Sequence, residues 1–70
     1  MTVNPKLNDR FFMTDSTVGK VVNRNRANFL VEIGDDLIDF YYETGSPINL
    51  KCKIKIDRLI TQDLDPEYFL

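Results

Sequence analysis

Few side chains in this chain of 70 residues can do acid–base or nucleophilic chemistry. Histidine is absent and Cys52 is the only cysteine, so no Ser-His or Cys-His pair can form and the commonest zinc ligand is missing. Three acids lie close together, Asp35, Asp36 and Asp39, but Gly34 followed by Asp35 is typical of a hairpin turn. The sequence therefore predicts a protein that is not an enzyme and has no metal or other cofactor.

Cys52 lies in the most regular stretch of the sequence. Apolar and polar residues alternate without exception over residues 48–56, which is typical of a strand with one buried face. Cys52 is in phase with Leu50 and Ile54, and a buried thiol without a basic neighbour is inert. We therefore expect Cys52 to be a core residue. A thiol with no disulfide partner, together with the lack of an export signal or a long apolar run, predicts a cytoplasmic protein.

Cations and one aromatic ring form a second set of candidate residues, suited to nucleic-acid binding. The polar face of the predicted strand at 48–56 carries a row of lysines, and further cations surround a predicted hairpin at 18–33. Phosphate contacts need cations on one surface. Tyr41, out of phase with Phe40 and Tyr42, would present a ring on which a base can stack. The predicted nucleic-acid-binding residues are Lys20, Arg24, Arg26, Tyr41, Lys51, Lys53 and Lys55.

The charge distribution leaves a second role open for the lysine row. The net charge is −2, and residues 32–43 contain five acids and no base. The lysines could then form cross-strand ion pairs with Asp39 and Glu43, and exposed pairs of this kind add little stability. Exposed lysines also protect a strand edge from aggregation.

The C-terminal residues 64–70 are a third candidate site. Asp65 followed by Pro66 is typical of a helix start, and apolar residues at a terminus fray unless they dock on something. Two interpretations are equally open: the tail closes the open end of its own barrel, or it docks on a protein partner or a second copy of the chain. The predicted protein-interaction residues are Tyr68, Phe69 and Leu70.

Four strands are predicted to position these residues, at 18–22, 27–33, 37–43 and 48–56. Short turns separate them, and a meander of this length buries its apolar face best by curling into a barrel. A fifth strand would come from residues 10–13 or 58–61, and a short helical turn beginning at Asn4 and Pro5 competes with the first of these. The predicted fold is a single domain over residues 1–70, a small all-β antiparallel barrel of four to five strands, OB-like or SH3-like.

The run Gly19-Lys20-Val21-Val22, a polar hairpin tip, and then Phe29-Leu30-Val31-Glu32-Ile33-Gly34 resemble the first two strands of a known family. This is the family of small RNA-binding OB-fold modules found in bacterial translation initiation factor one and in the repeats of the largest small-subunit ribosomal protein. The resemblance covers residues 18–34. It implies a five-stranded barrel that binds single-stranded or ribosomal RNA with aromatic and basic residues on its second and third strands. The chain departs from that family in its third strand, which carries Asp39 and Glu43.

These patterns together predict a non-enzymatic binding module whose most concrete partner is RNA or a ribonucleoprotein. The alternative is a protein-interaction module, or a small subunit of an assembly, that docks through its aromatic strand and its C-terminal tail.

Overall fold

Five antiparallel strands form the regular structure of the chain in the computed structural model, which describes residues 3–69. They are β1 (Arg10–Met13), β2 (Val18–Arg24), β3 (Asn28–Ile33), β4 (Asp36–Tyr41) and β5 (Ile56–Leu59), and a 3₁₀ helix follows at Pro66–Phe69. The strands form one sheet in the order β4-β3-β2-β1-β5, curled into a half-barrel. The predicted small all-β barrel is therefore confirmed. Both candidate regions contribute a strand, because residues 10–13 form β1 and residues 58–61 overlap β5.

Two hairpins join β2, β3 and β4 and position the candidate site. The register between β2 and β3 shifts by one residue between Val21 and Asn23, so Val22 forms a β-bulge. A bulge bends the strand and increases its twist, just before the β2–β3 connection. The β3–β4 connection is a tight turn in which Gly34 has a φ of 61°, as the first position of a type II′ hairpin turn requires.

The core contains apolar residues from all five strands. The alternation predicted for β3 is confirmed, because Phe29, Val31 and Ile33 are all buried. Gly19 has a packing role, since a Cβ at this position would overlap the side chains of Met13 and Val31. The buried apolar cluster consists of Val3, Phe11, Met13, Val21, Phe29, Val31, Ile33, Phe40 and Ile56.

The predicted strand at residues 48–56 is wrong for all but its last residue. Residues 48–55 form an irregular segment, which we call the lysine loop, and only Ile56 belongs to β5. Asn49 is the reason: its side chain accepts a hydrogen bond from the N–H of Lys51, and its C=O accepts one from the N–H of Cys52, both at 3.0 Å. Such local bonds compete with a strand. Leu50 is consequently 90% exposed, and Cys52 is half-buried rather than a core residue.

The N-terminal segment has no helical turn within residues 3–9, so that expectation is also wrong. The N–H of Val3 donates to the C=O of Tyr42 at 2.6 Å, and Pro5 is fully buried. Asn8 has a left-handed φ of 73°, which no right-handed helix accommodates. The chain therefore runs along the end of β4 and across the core before it enters β1.

Candidate functional site

The sheet register brings three of the predicted nucleic-acid-binding residues to one end of the sheet. Arg24 is the last residue of β2, Arg26 lies in the β2–β3 connection, and Tyr41 is the last residue of β4. Asn28, the first residue of β3, pairs with Tyr41, so the end of β4 lies beside the connection. All three side chains are exposed. We call Arg24, Arg26 and Tyr41 the tip cluster.

Tyr42 anchors the β2–β3 connection to the core. Its hydroxyl donates a hydrogen bond to the C=O of Asn25 at 2.7 Å, while its ring packs 5.2 Å from the ring of Phe29, measured between centroids. Phe29 in turn stacks on Phe40 at 5.9 Å, and the Arg24 guanidinium carbon lies 6.0 Å from the Tyr42 ring centroid. A column of aromatic rings therefore connects the buried core to the guanidinium group, and it restrains the connection that carries Arg26.

An open cleft of about 490 Å³ lies at the tip cluster. The ring of Tyr41 forms part of its wall and is 44% exposed, so a flat ligand can reach that ring. This size suits a small ligand or one nucleotide of a chain. The residues that line the cleft are Arg26, Ala27, Tyr41, Tyr42, Glu43 and Thr44.

No carboxylate lies within ion-pair distance of either arginine of the tip cluster within residues 3–69. The one ion pair in this part of the chain joins Arg58 and Asp65, far from the cleft in sequence and in the sheet order. Arg24 and Arg26 can therefore offer their guanidinium donors to an anion, and guanidinium groups bind phosphate oxygens in a directed, paired geometry.

None of the four predicted lysines lines the cleft at the tip cluster. Lys20 lies within β2, where its cross-strand neighbours are Arg10 and Glu32. Lys55 exchanges hydrogen bonds with Thr14, in the β1–β2 turn at the opposite end of the sheet from the β2–β3 connection. The predicted single basic surface is therefore divided: its arginines and tyrosine come together, whereas its lysines do not join them.

The cross-strand pairing considered as an alternative for the lysines does not form within residues 3–69. No lysine of the lysine loop lies within ion-pair distance of Asp39 or Glu43. Asp39 instead lies opposite Leu30 in the sheet, and Glu43 lines the cleft. The loop lysines are exposed, so they face solvent without a carboxylate partner in the described part of the chain.

The C-terminal tail docks on the outer face of β1 of its own chain. Tyr68 packs edge-on against Phe12 with 5.5 Å between ring centroids, and the Arg10 guanidinium donates to the C=O of Tyr68 at 2.9 Å. Of the predicted protein-interaction residues, Tyr68 is thus half-buried by an intramolecular contact, and Phe69 is 51% exposed. Leu70 lies outside the described residues.

A bidentate ion pair fixes this tail. The two terminal nitrogens of the Arg58 guanidinium, Nη1 and Nη2, donate to the Asp65 carboxylate at 2.8 and 2.9 Å, while the carbon of the same guanidinium lies 4.6 Å from the Phe12 ring centroid. The hydrogen bond from Arg58 lowers the pKa of Asp65 below its ordinary value, and the Asp65 partner raises the pKa of Arg58. We call Phe12, Arg58, Asp65 and Tyr68 the tail latch.

The roles of Tyr42, of Glu43 and of the pair Arg58 and Asp65 do not follow from the sequence patterns. The inward phase of Tyr42 was predicted, but its hydroxyl contact with the β2–β3 connection leaves no trace in the hydrophobic pattern. Glu43 was considered only as a partner for lysine, because its position beyond the end of β4 depends on where that strand stops. The pairing of Arg58 with Asp65 has no sequence signal, since the residues are seven positions apart on a strand and a turn.

Residues 3–69 contain no group of three or more acidic, cysteine or histidine side chains placed to hold a metal ion. Within the same residues, no helix has the length and apolar character needed to cross a membrane. Comparison of the chain with protein-family models, with curated proteins and with solved structures gave no match.

Proposed function

We propose that this protein is a non-enzymatic module that binds single-stranded RNA at the end of the sheet where β2 and β3 meet. The observation that carries the proposal is the tip cluster, in which Arg26 and the exposed Tyr41 line one open cleft. Arg24 is exposed beside it, with its guanidinium carbon 6.0 Å from the ring centroid of Tyr42, which also lines the cleft. Guanidinium groups suit phosphate oxygens, and a base stacked on an aromatic ring contributes about 1–3 kcal/mol.

The geometry supports a single strand rather than a duplex. A duplex keeps its bases stacked on one another, so it has no free base face to place on a protein ring. Tyr41 offers such a ring in a cleft that can take up one unstacked base. The net charge of −2 also supports a local contact over a few nucleotides, because a broad electrostatic footprint on a nucleic acid needs a basic surface.

Lys20 and the lysine loop have a lesser part in this proposal. They are exposed and free to contact the phosphates of a longer strand, but they lie apart from the aromatic ring. We therefore assign the primary contact to Arg24, Arg26 and Tyr41, and we keep Lys20, Lys51, Lys53 and Lys55 as secondary phosphate contacts.

The proposal includes a barrel type and a location. An OB-fold is a Greek-key barrel, whereas here four consecutive strands form a meander and β5 returns beside β1, so we favour the SH3-like alternative. We place the protein in the cytoplasm, where RNA is available and a free thiol such as Cys52 stays reduced.

The proposal is tested by anisotropy of a fluorescein-labelled RNA heptamer, UUUGUUU, at low salt. Replacing both arginines (Arg24→Gln with Arg26→Gln) should weaken binding at least about tenfold, since charge-assisted hydrogen bonds are worth about 1.5–3 kcal/mol each. The matched control, Lys51→Gln with Lys53→Gln, removes the same charge from the lysine loop and should change affinity much less. Absence of binding by the wild-type protein, or a larger loss in the lysine variant, would overturn the proposal.

A second candidate function is protein interaction through the tail, favoured by two exposed apolar side chains there. Leu64 is 70% exposed and Phe69 is 51% exposed, and exposed apolar groups of this size mark docking surfaces when they are contiguous. Sedimentation velocity over a range of concentrations tests whether the tail mediates association between copies of the chain. Leu64→Ser with Phe69→Ser should then abolish association that Leu37→Ser, a matched change on β4, retains. A wild-type chain that stays monomeric at all concentrations tested would contradict self-association through the tail.

A further inference from the structure

Among residues 3–69, Glu43 is the one acidic residue that lines the cleft at the tip cluster. A turn fixes its backbone: the N–H of Gly45 donates to the C=O of Tyr41 at 3.0 Å, and the N–H of Tyr41 donates to the C=O of Ser46 at 2.9 Å. Gly45 has a φ of 67°, which glycine adopts without steric cost. The turn thus presents a carboxylate two residues beyond the exposed ring of Tyr41.

A carboxylate at this place needs an explanation, because it would repel the phosphate groups that the arginines attract. Its oxygens make no hydrogen bond or ion pair within residues 3–69, so they are available as acceptors. An ionised carboxylate can only accept hydrogen bonds. On a nucleotide, the Glu43 carboxylate therefore suits the hydrogen-bond donors at the edge of the base and does not suit the phosphate backbone.

We propose that the cleft selects guanine, with the base stacked on Tyr41 and its Watson–Crick edge bound by the carboxylate of Glu43. Arg26, which lines the same cleft, would hold the phosphate of that nucleotide. This inference deepens the proposed function and rests on it. It names the base at one position of the bound strand.

The chemistry of the four bases supports this choice. Guanine places two donors side by side, N1–H and one hydrogen of the N2 amino group, and these match the two oxygens of a carboxylate. Adenine and cytosine place their amino group beside a ring nitrogen that is itself an acceptor, which a carboxylate repels. Uracil offers one N–H between two carbonyl oxygens. Unstacked bases are read on such edges in single-stranded RNA.

The test compares four labelled RNA heptamers that differ only in the central base: UUUGUUU, UUUAUUU, UUUCUUU and UUUUUUU. The wild-type protein should bind the guanine heptamer about tenfold or more tightly than the others, as expected for a bidentate contact to a base edge. Glu43→Gln should abolish this preference, so that the guanine heptamer binds about as tightly as the others. The affinity for UUUUUUU should stay unchanged or rise, because a negative charge near phosphate has been removed. Glu32→Gln, an exposed acid on β3, is the matched control and should retain the preference.

The two claims fail in different ways. If the wild-type protein binds all four heptamers equally, or prefers a base other than guanine, the inference about guanine is overturned and the proposed function stands. If it binds none of them at low salt, both are overturned. Retention of the guanine preference in Glu43→Gln would also overturn the role of the carboxylate.

Discussion

At the scale of single residues, Tyr42 connects the core to the candidate site. Its ring belongs to the aromatic column with Phe29, and its hydroxyl holds the C=O of Asn25. Tyr41 is its immediate neighbour and does the opposite, since its ring is exposed in the cleft. Tyr41 ends β4 and Tyr42 follows it, and the two adjacent tyrosines have separate roles, one in contacting a ligand and one in positioning the β2–β3 connection.

Removing the hydroxyl of Tyr42 tests this positioning role. Tyr42→Phe should lower the free energy of unfolding by about 0.5–1.5 kcal/mol, the usual net value of one hydrogen bond, and it should weaken RNA binding because the connection that carries Arg26 becomes looser. Tyr41→Phe is the matched control, since its ring is kept and the hydroxyl of Tyr41 makes no hydrogen bond within residues 3–69. Urea denaturation measures the free energy of unfolding of both variants. Equal stability of Tyr42→Phe and the wild type would contradict the account.

Gly19 is a second residue whose effect can be predicted from packing alone. A methyl group at this position would overlap the side chains of Met13 and Val31, so Gly19→Ala should destabilise the fold by about 1–3 kcal/mol. The neighbouring Lys20→Ala changes an exposed position of the same strand and should lie within about 0.5 kcal/mol of the wild type. Thermal unfolding of the two variants should therefore differ clearly, and similar midpoints would show that the core accommodates the methyl group.

At the scale of elements, the hairpins from β2 to β4 could be predicted from the sequence, and the connection to β5 could not. Alternation and turn residues act locally, so β3 and the Gly34 turn follow from their own residues. The lysine loop shows the same alternation more perfectly, but the side chain of Asn49 bonds its own backbone and local turn chemistry prevails. In the lysine loop, therefore, the periodicity alone does not predict the structure.

The candidate site could be predicted only in part, because local residue patterns determine some of its contacts and not others. Arg24, Arg26 and Tyr41 come together because the predicted hairpin of β2 and β3 forms and the register places the end of β4 beside it. The ends of β2 and β4 themselves differ from the predicted ones. The tail latch depends instead on contacts between segments distant in sequence, such as Tyr68 with Phe12. No local pattern encodes such contacts, so the sequence left the place of the tail open between two alternatives. The tail docks on its own chain, but on the outer face of β1 and not at the open end of the barrel.

The tail latch gives stability that depends on pH. Arg58 lowers the pKa of Asp65 below its ordinary value of 3.8, so the unfolded chain binds a proton at Asp65 more tightly than the folded chain does. The stabilisation is therefore fully present above about pH 5, and it is lost as the pH falls through the folded-state pKa. Asp65→Asn should be less stable than the wild type at neutral pH.

The measurement is urea denaturation of both proteins from neutral pH down to about pH 2. The difference between them should shrink steadily in the acid range, because protonated Asp65 loses its ion pair. Asp15, whose pKa is lowered by its hydrogen bond from Thr17, is present in both proteins and cancels in the comparison. A difference that is independent of pH would show that the latch depends on packing and not on charge.

At the scale of the whole molecule, the acidic net charge and the tip cluster have opposite electrostatic effects on an RNA ligand. A net charge of −2 repels a long polyanion, while the tip cluster attracts one or two phosphates. With two phosphate contacts, the affinity should fall by about 1.4 log units for each log unit of salt, at about 0.7 per contact. A much steeper dependence would mean that the lysine loop also binds the strand.

The most direct test of the central claim is a ¹⁵N-correlation NMR titration of the labelled protein with unlabelled UUUGUUU. We predict that the amide signals that shift on binding belong to residues 24–28 and 41–44, which form and flank the cleft at the tip cluster. Signals of the lysine loop should shift much less, and signals of the tail latch should stay in place. Shifts concentrated in residues 49–55 or 64–69, or no shifts at any RNA concentration, would contradict the assignment of the binding site.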